Sequence, residues 1–204
     1  NLKALLTKAS EGDPQGQYDI GMRLTKGDGV RQDFAAAVGW LKKAAGAGLA
    51  DAQFVLGALH QQGKGAPKDP VQAVDWYRKA AEQGYMDAFL RVGGMYLDGD
   101  GVTKNVAEAL RWFRSAAEWG DGKAQYQLGM MFHSGVDVPK NPAEAYKWFA
   151  VAARQGNEDA DHMLGQLNAS LKADQIAAGR KLANSFVSGK EAAARKRAQA
   201  EEDK

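Results

Sequence analysis

The segment that decides the fold is residues 51–86, which carry the sequence DAQFVLGALHQQGKGAPKDPVQAVDWYRKAAEQGYM. The same pattern returns along most of the chain, each time 36 positions later and without an insertion. The recurring landmarks are the tryptophans Trp40, Trp76, Trp112 and Trp148, the alanine pairs that begin at Ala44, Ala80, Ala116 and Ala152, and the glycines Gly48, Gly84, Gly120 and Gly156. A fixed period between about 20 and 50 residues is typical of stacked repeats. The sequence therefore predicts a repeat architecture whose core runs between neighbouring repeats.

Each repeat is predicted to contain two helices. In the segment 51–86 the first helix ends at a glycine-lysine-glycine turn that starts at Gly63. The second helix follows Asp69, a good N-cap residue, and begins with Pro70, which suits the first helical position. It ends at Gly84, since glycine readily adopts the left-handed conformation that closes a helix. This pattern predicts an all-α fold.

The landmarks divide the chain into four predicted regions. Residues 1–14 match a second helix without its first helix, and are predicted to form a capping half-repeat. Residues 15–158 hold four full repeats. Residues 159–189 open as a fifth repeat but lose the turn glycines and the tryptophan, so they are predicted to close the stack. Residues 190–204 form a charged tail, for which a solvated helix or a linker is favoured over a coiled coil, because heptads are missing.

Composition restricts the possible functions. Hydrophobic residues make up 45% of the chain and charged residues 25%, as in soluble folded proteins. The net charge of +2 is too small to indicate nucleic acid or an anionic membrane as a partner. The absence of cysteine excludes disulfides and thiolate chemistry, and no apolar run approaches the ~18 residues of a membrane span. Because the sequence begins with Asn1 rather than Met, we expect a processed or excised form.

The repeated segment resembles a known family. The residues that carry the resemblance are Ala52-Gln53-Phe54, Leu56-Gly57, Gly63-Lys64-Gly65, Asp69-Pro70, Trp76-Tyr77 and Ala80-Ala81. They are similar to the Sel-one-like repeat (SLR), a relative of the tetratricopeptide repeat, over about residues 15–165. The resemblance implies a right-handed α/α superhelical solenoid of antiparallel helix pairs that serves as a scaffold or adaptor for other proteins. It also implies a bacterial protein that is secreted, periplasmic or host-facing.

Three departures from the family pattern are expected to loosen packing locally without changing the fold. Asp137 replaces the second turn glycine of the fourth repeat, and Gly39 lies inside the second helix of the first repeat. Phe89-Leu90 stands where the third repeat should have glutamine followed by an aromatic residue.

A second stripe of residues on each first helix is predicted to bind a partner. With Leu56 counted as position 7 of its helix, positions 5, 9 and 12 lie roughly 160–180° from the core positions. In related repeats this stripe lines the concave surface. The predicted partner-binding residues of the concave face are Tyr18, Met22, Phe54, Gln61, Leu90, Leu97, Tyr126, Met130, His133 and His162. Repeated rings and methionines are typical of a peptide-binding groove. The alternative is that the neighbouring repeat buries the rings at position 5.

Other conspicuous residues are predicted to be structural. The four repeated tryptophans recur in one register beside small residues, which favours packing in the core over stacking on a ligand. His60 occupies a core position and is predicted to be a hydrogen-bonded packing residue. His133 and His162 could approach each other, but two imidazoles without a third ligand make a poor zinc site. Residues 98–101 resemble a calcium loop, but Ala109 stands where that loop needs glutamate.

These patterns predict a non-catalytic monomer without a metal or cofactor, whose partner is a protein or peptide. The alternative is a structural spacer or self-assembling scaffold with a cell-envelope-associated regulatory role. Such a scaffold would bind through its convex face or its C-terminal tail. An enzyme acting on cell-wall glycans has the least support, because no two inward carboxylates share a predicted site.

Overall fold

The computed structural model describes residues 2–202, and their side chains through residue 199. These residues form the α-helices α1 (Leu2–Ser10), α2 (Pro14–Lys26), α3 (Phe34–Gly46), α4 (Ala50–Gln62), α5 (Pro70–Glu82), α6 (Met86–Asp98), α7 (Val106–Trp119), α8 (Gly122–Ser134), α9 (Pro142–Ala153), α10 (Glu158–Ser170), α11 (Ala173–Ser185) and α12 (Gly189–Glu202). The chain divides into two compact units, unit 1 ending at Asn105 and unit 2 beginning at Val106. The predicted all-α fold with two helices in each 36-residue repeat is confirmed.

N-cap contacts mark the starts of three second helices, α3, α5 and α9. The side chains of Asp33, Asp69 and Asn141 accept hydrogen bonds from the backbone N–H three residues later, at 2.9, 3.0 and 3.1 Å. Pro70 and Pro142 each lie at the start of their helix. These caps satisfy N–H groups that have no partner within the helix, and so they define where each helix begins.

Unit 1 is a series of helices in which each helix from α2 to α6 packs on the one before it. Its core cluster consists of Ala37, Leu41, Ala44, Ala45, Ala52, Leu56 and Leu59. The alanines allow the helices to approach closely, while Leu41 and Leu56, both 0% exposed, fill the space between them. The alanine pairs of the sequence are therefore positions of close helix packing.

Unit 2 is organised around α9, which packs against α8, α10 and α11. Its core cluster consists of Ala145, Tyr146, Phe149, Ala150, Val151, Ala152, Ala160, Leu167 and Ala183. A Cβ atom at Gly179 of α11 would lie 2.5 Å from the Cβ of Tyr146, so the two helices meet where only glycine fits. Because α9 is covered by three helices, it is apolar over most of its circumference.

The glycine of the repeated Leu-Gly pair lets the two helices of a repeat touch. A Cβ atom at Gly57 would lie 2.9 Å from the ring of Tyr77, and one at Gly129 would lie 2.6 Å from the ring of Phe149. Such distances are shorter than van der Waals contact, so each ring packs directly on the backbone of the facing helix.

In the second and third repeats, the second glycine of the turn lies against the preceding repeat. A side chain at Gly65 would collide with the carbonyl oxygen of Phe34, and one at Gly101 with that of Pro70. Both glycines also have left-handed φ angles, 77° and 75°. In the fourth repeat Asp137 takes this place, and within residues 2–202 only glycines have positive φ. The fourth turn therefore follows a different backbone path.

The repeated tryptophans are less buried than the sequence predicts. Trp148 is 1% exposed and lies in the core, whereas Trp40, Trp76 and Trp112 keep part of the ring in solvent. The Nζ atoms of Lys43 and Lys79 lie 4.5 and 4.2 Å from the ring centroids of Trp40 and Trp76. The predicted core packing is confirmed for Trp148 and in part for Trp76, which is half-buried and packs against the core cluster of unit 1, while Trp40 and Trp112 are half-buried. In unit 1 the second helices bury the residue after each tryptophan, which leaves the tryptophan at the edge of the core.

The charged tail forms α12. Its start is a reciprocal cap, in which the N–H of Ser188 donates to the Glu191 carboxylate at 3.1 Å and the N–H of Glu191 donates to the Ser188 hydroxyl at 3.2 Å. The side chains of residues 194–199 are exposed. The predicted domain limits at residues 14, 158 and 189 stay predictions. Asn1 and residues 203–204, which belong to the two predicted terminal regions, lie outside the described residues.

Candidate partner-binding surfaces

The predicted binding residues lie on the first helices of the repeats, which are α2, α4 and α6 in unit 1 and α8 and α10 in unit 2. We call the partly exposed side of these helices, within each unit, the first-helix surface of that unit. Nine of the ten predicted residues are half-buried, namely Tyr18, Met22, Phe54, Gln61, Leu90, Leu97, Tyr126, Met130 and His133. The tenth, His162, is exposed. Each of them therefore keeps surface that a partner could contact.

In unit 1 an aromatic stack holds Phe54 in place. The ring of Phe54 is stacked on that of Tyr85, with centroids 4.7 Å apart and planes at 27°. Its other neighbour is Tyr77, 5.4 Å away and tilted by 52°. Tyr85 occupies the N-cap position of α6, where its side chain makes no capping hydrogen bond. The sequence analysis missed Tyr85, because the equivalent residue before α4 is Leu49 and no repeated pattern marks the position.

The carboxylate of Asp51 lies close enough to Tyr18 and Tyr85 to affect the pKa of both phenols. Burial raises the pKa of Tyr18, and the negative charge of Asp51 raises it further. Burial, then Asp51 and then Asp87, raise the pKa of Tyr85. Both phenols are therefore neutral hydrogen-bonding groups at physiological pH, and Asp51 stands beside them on the first turn of α4.

Gln61 is held by a polar chain that ends at a carboxylate. The hydroxyl of Tyr77 donates to Oε1 of Gln61 at 3.1 Å, and Nε2 of Gln61 donates to Oδ2 of Asp100 at 3.4 Å. Burial raises the pKa of the Tyr77 hydroxyl, and the positive charge of Arg91 opposes that effect. The Gln61 amide is thus oriented by its own protein before a partner arrives.

In unit 2 one buried ring supports two of the predicted residues. Phe149 lies 5.7 Å from the ring of Tyr126 and 6.4 Å from that of His133. Met130 packs against the same core cluster. His162 belongs to α10, where its Nε2 atom lies 2.9 Å from Nε2 of Gln166. Tyr126, Met130 and His133 therefore share one part of the surface.

Buried glutamines tie three of the first helices, α2, α4 and α8, to the helix before them, and we call this set the glutamine ladder. The side-chain amide of the glutamine at position 4 donates to a backbone carbonyl of the preceding second helix. The bonds run from Gln17 to Ala9 at 3.2 Å, from Gln53 to Ala45 at 3.1 Å and from Gln125 to Ala117 at 3.0 Å. Gln83 and Gln155 extend the ladder by donating to Gln53 and Gln125, each at 2.7 Å. The third repeat has Phe89 and Trp119 at these two positions instead.

The sequence analysis did not find the glutamine ladder, although a glutamine recurs at position 4 in three repeats. The role of the ladder is structural, because Gln125 is 0% exposed and its amide bonds are made within the protein. Each of the three carbonyls also accepts from the backbone N–H of the glycine that follows its helix, Gly12, Gly48 or Gly120, so the glutamine supplies a second donor from the next helix.

His60 is buried, 7% exposed, as its core position predicts. The predicted hydrogen bond is not made by Nδ1, which has no partner among the described residues. Burial lowers the pKa of His60, and the nearby Asp69 carboxylate opposes that shift. His60 is therefore a neutral packing residue at physiological pH.

A surface pocket of about 640 Å³ lies beside the second helices of unit 2. Its lining residues are Ser115, Glu118, Trp119, Lys147, Leu182, Ser185, Phe186, Val187 and Gly189. Trp119 is 54% exposed, and Phe186 contacts the core tryptophan Trp148 edge-on at 5.4 Å. This pocket was not predicted, since it forms where the irregular segment after α11 meets α7 and α9.

The described residues provide neither a cluster of metal ligands nor a helix that could span a membrane. Within residues 2–202, no group of three or more histidines, cysteines, aspartates or glutamates is placed to hold a metal ion. The helices described for these residues include none with the length and apolar character needed to cross a membrane.

The chain is similar to known repeat proteins. The sequence model of the Sel1 repeat matches it at residues 14–49, 50–85, 88–121 and 122–157. A solved Sel1 repeat protein from Oxalobacter formigenes shares 36% identity with a TM-score of 0.76, over 91% of this chain and 78% of that one. A protective antigen present in uropathogenic Escherichia coli strains, which displays an SLR fold, shares 34% identity with a TM-score of 0.78 over 88% of this chain. The match spans 40% of that antigen's length. A comparison with curated proteins finds no match.

Proposed function

The chain belongs to the Sel1 repeat family, and from that premise we propose that it is a non-catalytic scaffold that binds a segment of a partner protein on its first-helix surface. Sel1 repeat proteins generally act as scaffolds for protein–protein interaction. The observation that supports this surface is the recurrence of half-buried rings and methionines on the first helices of both units. Large, partly exposed rings carry much of the binding energy in protein interfaces.

The geometry of these residues suits binding, because their side chains are held before a partner arrives. Phe54 is fixed between Tyr77 and Tyr85, and Tyr126 lies against Phe149. A ring that is already ordered loses little conformational entropy when it binds, so its apolar contact contributes more to affinity.

The double substitution Tyr126→Ala with Met130→Ala tests the proposal in unit 2. We expect it to abolish capture of the partner in a pull-down from an extract of the source organism, as analysed by mass spectrometry. Because Met130 packs on the unit 2 core, a modest loss of thermal stability is also expected. The matched control is Ile176→Ala, which changes the same core cluster from α11. Equal capture by the wild-type chain and the double variant would exclude this surface as the partner-binding site.

A second candidate function is a scaffold that binds a partner or self-associates through the exposed side of its second helices or through its C-terminal tail. The exposed Trp119 and the pocket beside it favour this candidate. In that case Trp119→Ser would abolish capture, or would reduce a concentration-dependent particle mass measured by light scattering. The Tyr126→Ala and Met130→Ala double variant would then behave like the wild-type chain. Deletion of residues 190–204 would show whether the tail, rather than the pocket, is responsible for binding.

A further inference from the structure

The first-helix surface of unit 1 combines aromatic rings with carboxylates. The rings are those of Tyr18, Phe54 and Tyr85. The carboxylates belong to Asp19 and Asp51, on α2 and α4, and to Asp87 on the first turn of α6. The negative charge of Asp51 acts on both Tyr18 and Tyr85 and helps to raise the pKa of each phenol. Its side chain is exposed, so the carboxylate is available to a molecule that covers the rings.

On the same helices, cationic side chains near these rings are fewer than carboxylates. Lys26 lies in the last turn of α2, away from its Tyr18 end, whereas Arg23 lines a surface pocket together with Asp19 and with Lys8 of α1. Arg91 is the cation in the first half of α6, and its charge acts on the hydroxyl of Tyr77. The first halves of α2, α4 and α6 therefore carry more negative than positive charge.

We propose that this part of the first-helix surface binds a lysine- or arginine-rich segment of a partner protein. The inference rests on the proposed function and names the chemistry of the partner at that site. The stack of Phe54 on Tyr85 offers ring area on which the aliphatic part of a lysine or arginine can pack. The cationic end is then attracted both to the ring faces and to Asp51.

The chemistry favours a basic segment over an acidic or neutral apolar one. An acidic segment would bring its carboxylates against Asp51 and Asp19, and like charges at an interface disfavour binding. A purely apolar segment would cover these carboxylates without satisfying them, which costs free energy. A basic side chain gains from both features, because its cation is attracted to the ring faces and to the carboxylates.

A random-peptide phage library, selected on the full chain, tests the inference. Selected peptides are remeasured as free fluorescent peptides by anisotropy against Phe54→Ala, Asp51→Asn and Tyr126→Ala. The matched control is Asp75→Asn, which removes the same charge from an exposed site on the second helix α5. Circular dichroism establishes that each variant keeps its helix content.

The expected result is a set of peptides richer in lysine and arginine than in aspartate and glutamate. Phe54→Ala should weaken their binding about tenfold and Asp51→Asn about threefold, while Asp75→Asn changes it less than twofold. Raising the salt concentration should weaken binding to the wild-type chain.

Two results would overturn the inference in different ways. Peptides that depend on Phe54 or Tyr126, but are not basic or are indifferent to Asp51→Asn, would exclude the basic partner and leave the proposed function standing. Peptides that depend on neither Phe54 nor Tyr126, or an absence of bound peptides, would count against the first-helix surface and so against both proposals.

Discussion

Single buried polar residues hold neighbouring helices of this chain in register. Gln125 is 0% exposed, donates to the carbonyl of Ala117 and accepts from Gln155. The Ala117 carbonyl also accepts from the backbone N–H of Gly120 at 3.0 Å, so Gln125 supplies the second of two donors. A hydrogen bond of this kind contributes about 0.5–1.5 kcal/mol to stability.

Replacing Gln125 with leucine should lower the free energy of unfolding by about 0.5–1.5 kcal/mol, because one hydrogen bond to the Ala117 carbonyl is lost while the backbone N–H of Gly120 still donates to it. Urea unfolding followed by circular dichroism measures the change. The control is Gln166→Leu, at an exposed position of α10, which should change stability by less than about 0.5 kcal/mol. Equal effects of the two substitutions would mean that the ladder adds nothing to stability.

His60 should make stability depend on pH. Because burial lowers its pKa below the usual 6.5, the folded chain holds His60 neutral while the unfolded chain takes up a proton near pH 6.5. The stability contributed by neutral His60 is thus present above pH 6.5 and is lost as pH falls. His60→Phe, which places here the residue type found at Phe132, should lose less stability between pH 7.5 and pH 5 than the wild-type chain. Parallel melting temperatures across that range would contradict this role.

At the scale of helices, the glycine of the Leu-Gly pair is closely packed in one first helix and unpacked in another. Gly129 and Gly165 both end a Leu-Gly pair in a first helix. A Cβ atom at Gly129 would meet the Phe149 ring at 2.6 Å, whereas nothing lies within 4 Å of the same atom at Gly165. Gly165 of α10 matches the sequence pattern but lacks the close helix contact that requires glycine at Gly129.

Alanine at these two glycines should therefore change stability in opposite directions. Gly129→Ala should destabilise the chain by about 1–3 kcal/mol through overpacking against Phe149. Gly165→Ala should stabilise it by about 0.5–1 kcal/mol, because alanine is the better helix former. Thermal melting of both variants tests the pair, and destabilisation by Gly165→Ala would show that α10 packs more tightly than described.

Features that depend on local rules could be predicted from the sequence, and features that depend on contacts between helices could not. Asp69 was identified as an N-cap because capping is decided within one turn. Tyr85 was missed because its partner Phe54 is brought to it only by stacking of repeats. Gln53 was missed because a polar residue on a helix is normally taken to face water, and its carbonyl acceptor lies in another helix.

On the scale of the whole molecule, the repeat separates stability from recognition. The paired alanines recur in all four repeats and, with glycines such as Gly57 and Gly129 and the position-4 glutamines of three repeats, form contacts between helices. The residues at positions 5, 9 and 12 of the first helices vary from repeat to repeat, for example from Phe54 to Leu90 to Tyr126. Variation at a partly exposed position can change the partner without changing the fold, which is the physical basis of the proposed scaffold function.

Site-specific photo-cross-linking tests this account most directly. The photoreactive residue p-benzoylphenylalanine is placed singly at Tyr18, on the first-helix surface, at Arg78, exposed on α5, and at Trp119 beside the unit 2 pocket. The account predicts a discrete cross-linked partner from Tyr18 in an extract of the source organism, and no such product from Arg78 or Trp119. Cross-links from Arg78 or Trp119 with none from Tyr18 would contradict it.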